Sequence, residues 1–228
     1  MDVMHAYSVI RPKNILHNMD SFFTALMVQA RATSWMEWTA AFFGMASVLY
    51  SRNNKVLLYP TGIISTAIYC YMWSRTEAKL YADALLNLYY LIMSIYGWIL
   101  WSRQRTNAQL EISRCNTKEW LIAMGIGIAG WAILYRLLLL TPSDVPVWDS
   151  FVSAAAWSGM WLLARRKLEN WILLNISNLA AIPLYVHKNY YVTMLLTVFL
   201  FVVAISGYFN WRKIVLRQED KRLPAAAH

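Results

Sequence analysis

The chain has 228 residues, 59% hydrophobic and 15% aromatic but only 14% charged, with a mean hydropathy of +0.37. A soluble domain carries about a quarter charged residues, so water is not the main solvent of this chain. Its net charge of +9 does not mark a nucleic-acid surface, because Lys and Arg gather between apolar segments, where they report topology.

Residues 1–34 form a leader without the basic region, apolar core and small-residue cleavage site of a signal peptide, so insertion is expected to be guided by the spans themselves. Within it, His17, Asp20 and Gln29 interrupt the apolar run of 14–30. That segment reads as an amphipathic surface helix, since the bilayer centre tolerates Asp poorly. Seven apolar segments follow, near 35–51, 56–73, 80–101, 119–140, 147–164, 170–187 and 190–211. They approach the roughly 20 residues that cross a hydrocarbon core. Runs such as Val192 to Ile205 are apolar in every register, which excludes the alternation of barrel strands. Cys70 and Cys115, the two cysteines of the chain, lie in a span and a basic loop, where a disulfide framework is not expected.

Two-thirds of the 21 Lys and Arg residues fall on one side of these segments, including Arg52, Lys55, Arg103, Arg114, Lys118, Arg165, Arg166, Lys167 and the tail from Arg212. The positive side is expected to be cytoplasmic, which places the C-terminus inside and the N-terminus outside a bacterial inner membrane. At an offset of 110, Tyr81 pairs with Tyr191, Gly97 with Gly207, Trp101 with Trp211 and Trp38 with Trp148. This suggests two three-helix bundles, 35–103 and 147–213, as copies of one unit. The loop and linker helix of 104–146 make the copies parallel, and 214–228 form a basic tail. The expected fold is thus an all-α membrane protein of seven spans arranged 3+1+3, plus the amphipathic helix. Such repeats place a substrate site at their interface near mid-depth.

Polar groups inside a bilayer are costly and face a protein interior or a wet cavity. Asp83, Asn87, Tyr90 and Ser94 follow at spacings of 4, 3 and 4 and form one stripe of the third span. Asn87 can donate and accept at once and reads as a substrate contact, whereas Ser94 and Thr193 read as interhelical glue. The repeat sets Thr193 and Thr197 opposite Asp83 and Asn87. In the sixth span, Trp171 and Asn178 share a face, with Asn175, Ser177 and Pro183 nearby. Trp171 reads either as an interfacial belt residue or as a stacking surface. Trp35, Trp73, Trp101, Trp120 and Trp211 sit at span ends and read as belt residues. Trp131 and Trp157 lie mid-span, as packing or as a stacking surface. Glu37 and Asp149 open the first and fifth spans, where a carboxylate complements a helix N-terminus; attracting a cation to the entrance is the alternative. No Lys or Arg lies near the centre of a span. Neutral or cationic solutes therefore fit better than phosphorylated ones, aromatic cations best.

The segments Leu80 to Tyr90, Tyr96-Gly97-Trp98 with Trp101, Val147 to Ser150, and Glu169-Asn170-Trp171 with Asn178 together resemble the PnuC family of nicotinamide riboside transporters, over about 35–213. The resemblance implies a SWEET-like fold, a homotrimer, and facilitated diffusion of nicotinamide riboside with trapping by phosphorylation. It also puts Trp171, Asn178 and Asn87 at the substrate. Leu174 stands where the family often has a second Trp. A carrier of thiamine, a sugar or another small metabolite shares these features, and a scaffold without transport is a different class. No His-rich metal motif or nucleophile–base pair occurs, so neither an enzyme, a metal nor another cofactor is expected.

Overall fold

A computed structural model describes residues 19–74, 81–103, 111–140 and 143–222. The side chains of Asp83 and Trp73 lie outside this described set, as do residues 14–18 of the expected amphipathic segment. Among the described residues there are eight helices: α1 (Met19–Ala32), α2 (Trp35–Arg52), α3 (Leu58–Ser74), α4 (Tyr81–Arg103), α5 (Thr117–Leu138), α6 (Pro146–Ala164), α7 (Asn170–His187) and α8 (Tyr191–Arg222). The one β contact described is an isolated bridge between Ser113 and Lys167.

Local chemistry sets the helix ends. Ser34 caps α2 by accepting from the Glu37 N–H, and Asn116 forms a reciprocal capping box with Glu119 at α5. Pro146 opens α6, where its missing N–H costs nothing. The expected seventh span stops at 211 because charge begins at Arg212, yet α8 continues to Arg222. Water satisfies charged side chains without disturbing a helical backbone, so apolar length underestimates helix length there.

Each of six helices packs on two neighbours in the order α2, α3, α4, α6, α7, α8 and back to α2, closing a ring. Helix α5 packs outside it on α6, and α1 outside it on α8. Large apolar side chains such as Phe42, Leu121, Ile128 and Val202 are exposed on the outer surface, an arrangement suited to lipid rather than water. By length and composition alone, α5 and α8 are apolar enough to cross a bilayer. The others are diluted by Tyr, Trp, Asn and Ser, or have 17 to 19 residues, near the lower end of the spanning range.

Specific bonds recur around the ring. Ser65 Oγ on α3 donates to the Ala40 carbonyl on α2 at 2.8 Å, and 112 residues later Ser177 Oγ on α7 donates to Val152 on α6 at 2.7 Å. The turns that follow α2 and α6 are likewise superposable in their bonding. Lys55 N–H donates to Tyr50 and Lys167 N–H to Leu162, around left-handed residues Asn54 (φ 53°) and Arg166 (φ 54°). Gly97 of α4 lies against the Tyr59 ring of α3, and Gly207 of α8 against the Trp171 ring of α7. Equivalent residues are therefore 112 apart in the first two helices of each copy and 110 apart in the third. The sequence pairing of Trp38 with Trp148 is out by two; Glu37 corresponds to Asp149.

Candidate functional site

Helices α4 and α7 are not neighbours in the ring, so side chains that meet between them point into its interior. Tyr90 of α4 lies within electrostatic range of Tyr185 of α7 and of its own neighbour Tyr89. Asn87 sits one turn before Tyr90 and is half-buried. Trp171, Asn178 and Tyr185 follow at intervals of seven and share a face of α7. That face lies between an exposed one (Ile172, Ile176, Leu179) and a buried one (Asn170, Ser177, Ala181, Leu184). Asn178 is half-buried, and the buried Asn175 Oδ1 has no hydrogen-bond partner among the described residues. Two amide-bearing faces thus oppose each other with tyrosines between them.

The sequence reading of Tyr90, Asn87 and Asn178 as one interior group is consistent with this geometry; Tyr185 was missed. The signal for it was present, seven residues after Asn178. Ser94 is buried between helices, with Gly62 of α3 against it, the glue role expected of it. Thr197 is buried and its hydroxyl donates to the Thr193 carbonyl one turn back, at 2.8 Å. Tyr89 stacks on Trp157 of α6 with ring centroids 4.5 Å apart and donates to its carbonyl at 2.9 Å. Trp157 is therefore a packing residue that joins α4 to α6.

Trp171 is not a belt residue: it is 1% exposed, edge-on to Trp211 at 5.6 Å, and its Nε1 lacks a hydrogen-bond partner. Its outer edge reaches a cleft of about 340 Å³ between α7 and α8, shared with Asn175, Phe201 and Tyr208. Trp101 and Trp211 also depart from the belt expectation, being 5% and 0% exposed. Position at a span end does not distinguish a lipid-facing indole from one turned inward. Trp35, at 76% exposed, keeps the surface place expected of it.

Asp149 stands in the first turn of α6 as expected, but its carboxylate is also held by Lys188 Nζ at 2.6 Å and by Ser143 Oγ at 2.7 Å. That makes it a clasp between α6 and the end of α7. Glu37, in the first turn of α2, lies within electrostatic range of Tyr69 on α3. On the basic side, Glu119 is paired with Lys167 at 2.8 Å and Glu169 accepts from the Cys115 N–H at 2.8 Å. These bonds tie the connection before α5 to the α6–α7 turn. Burial and the Glu169 carboxylate push the Cys115 thiol well above its ordinary range. A wider apolar cavity of about 610 Å³ lies outside the ring, between α5 and α6, lined by Trp131, Trp148 and Phe151 among others.

A closed ring of helices, apolar outside and lined within by amides and phenols, is the architecture of a membrane transport protein. The family model described as nicotinamide mononucleotide transporter matches residues 34–213, which takes in the whole ring. The chain belongs to that family of transporters. It is 24% identical over 205 residues to the nicotinamide riboside transporter PnuC of Escherichia coli, covering 78% of this chain and 85% of that one. Identity to the PnuC of Neisseria mucosa is 25% over 201 residues, covering 82% and 76%. The crystal structure of the vitamin B3 transporter PnuC superposes with a TM-score of 0.65 at 24% identity, over 86% of this chain and 90% of that one.

Proposed function

We propose that the protein carries nicotinamide riboside across a bacterial inner membrane by facilitated diffusion, the substrate being trapped inside by phosphorylation. The observation that carries this reading is the opposition of the α4 and α7 faces, Tyr90 near Tyr185 with Asn87 and Asn178 on the same stripes. A pyridinium ring with a carboxamide and ribose hydroxyls matches aromatic walls and amides. Asn87 and Asn178 bind its polar edges, Tyr90 walls the base, Trp171 forms the floor, and Asp83 and Thr197 complete the lining. Glu37 and Asp149 shape the outer entrance. The family description names the mononucleotide and the relatives the riboside. The absence of Lys and Arg from the middle of the spans favours the substrate without a phosphate.

In this reading the ring is two parallel three-helix copies, α2–α4 and α6–α8, with α5 as the linker span and α1 as an amphipathic helix at the outer surface. The bonds that recur after 112 residues support it, as does the charge bias that sets the C-terminus in the cytoplasm. The assembly is a homotrimer. Calorimetry on detergent-purified protein tests the substrate: nicotinamide riboside should release heat, nicotinamide mononucleotide and thiamine should not, and Asn178→Leu should weaken binding. Silence toward the riboside in folded protein, with a response to thiamine or a sugar, would transfer the carrier to another metabolite.

A further inference from the structure

We infer that Trp101 and Trp211 are the gate residues of the cytoplasmic end, an inference that rests on the carrier reading above. Both were expected to be passive membrane-interface residues. Instead they occupy equivalent places at the two seams where one three-helix copy meets the other. Trp101, near the end of α4, donates its indole N–H to the Ala164 carbonyl at the end of α6, at 3.1 Å. Trp211 of α8 donates to the Ser51 carbonyl in the last turn of α2, at 3.0 Å. Each bond crosses from one copy to the other, and neither joins helices within a copy.

The two indoles meet at 6.3 Å, with Tyr59 edge-on to Trp101 at 5.1 Å and Trp171 edge-on to Trp211 at 5.6 Å. With both carbonyl partners, this plug engages all six helices of the ring, at the end that bears Arg52, Lys55 and Arg165 to Lys167. Arg166 lays its guanidinium over Trp101, 3.8 Å from the ring centroid. Rocking the copies apart at this end requires breaking both indole bonds and parting the rings. The closed plug also carries a built-in penalty. Tyr59 Oη and Trp171 Nε1 are buried without hydrogen-bond partners, an unfavourable state that water entry would relieve. Each seam is thus held by one modest bond against two unsatisfied polar atoms, which sets the closed and open states close in energy. An ordinary structural core has no need of this balance.

The test places a reporter in the plug. Ala204 is 2% exposed and packs in this cluster. Ala204→Cys is made in full-length protein with Cys70→Ser and Cys115→Ser, and inside-out vesicles are treated with a membrane-impermeant maleimide. Labelling should be slow in this parent. Trp211→Phe and Trp101→Phe each keep a ring but delete one cross-seam bond, and should raise the rate about fivefold. Trp35→Phe, at an exposed site, should leave it unchanged. Unchanged labelling in either Trp variant, with parental gel-filtration behaviour, would overturn the gate, and so would acceleration confined to reagent on the opposite face. Because each seam has its own bond, misfolding of one variant leaves the other to decide. Riboside binding is measured on the same samples: its absence from the parent counts against the substrate, while the labelling rates still judge the gate.

Discussion

Gly97→Ala probes the contact on which the first copy closes. A Cβ at residue 97 would lie 2.4 Å from Tyr59 Cε1 and 2.5 Å from Cζ and Oη, whereas carbon contacts settle at about 3.5 to 4.0 Å. Helices α3 and α4 must therefore separate by about 1 Å, because the Tyr59 ring is buried and already edge-on to Trp101 at 5.1 Å. Overpacking of this kind costs about 1–3 kcal/mol, of which alanine's better helix propensity returns up to about 1. At roughly 2–4 °C per kcal/mol for a chain of this size, the melting temperature should fall by about 3–8 °C. Thermal unfolding in detergent, followed by gel filtration with fluorescence detection, measures it. Gly125→Ala is the control: nothing lies within 4 Å of its Cβ position, so it should melt at or above the parent. Adding Tyr59→Leu should cancel part of the Gly97→Ala loss, since the two residues share the clash. If Gly97→Ala melts with the parent, the close approach of α3 to α4 is refuted.

The equivalence of the copies predicts matched effects for Ser65→Ala and Ser177→Ala, which delete the same interhelical bond. Each should cost about 0.6–1 kcal/mol, and unequal melting shifts would break the equivalence. Cys115 titrates above its usual range, so at pH 8 it remains mostly thiol and should react with maleimide far more slowly than glutathione, gaining rate as pH rises. Glu169→Gln removes the charge that opposes the thiolate and should speed the reaction at fixed pH. A rate unmoved by that change would leave burial as the whole cause.

The positions of the helices were legible in the sequence because apolar length is the main determinant of a membrane-type helix. The termini of α2 and α5 were written in their capping residues. What escaped the sequence was direction. Trp35, Trp101 and Trp211 all stand at helix ends, yet one faces outward and two face inward, and a run apolar on every side has no periodicity to tell them apart. The repeat was visible but misplaced by two residues in its first helices, because aromatic identity at Trp38 and Trp148 is a weaker guide than a bond such as Ser65 to Ala40. Leu174, which departs from the resemblance, has a local explanation: its side chain fills the space left by Gly159. The equivalent pair in the first copy reverses the sizes, with Gly62 against Ser47.

That frame also shows where symmetry stops. Asn178 of α7 corresponds to Thr66 of α3, and Asn87 of α4 to Thr197 of α8. Both threonines spend their hydroxyl protons on their own helices, Thr66 on the Gly62 carbonyl at 2.9 Å and Thr197 on the Thr193 carbonyl at 2.8 Å. The amides therefore occupy one diagonal of the ring and self-satisfied hydroxyls the other, so an unsymmetrical solute has one preferred orientation. Thr66→Val and Thr197→Val remove groups with no proton left to donate, and should change riboside affinity by less than about threefold. Asn87→Leu and Asn178→Leu remove amides and leave substrate groups unpaired, which should weaken binding by about 10- to 100-fold. Isothermal titration of the four variants separates the diagonals. If either valine variant loses as much affinity as its asparagine counterpart, the threonines bind substrate too, and the site follows the symmetry of the fold rather than breaking it.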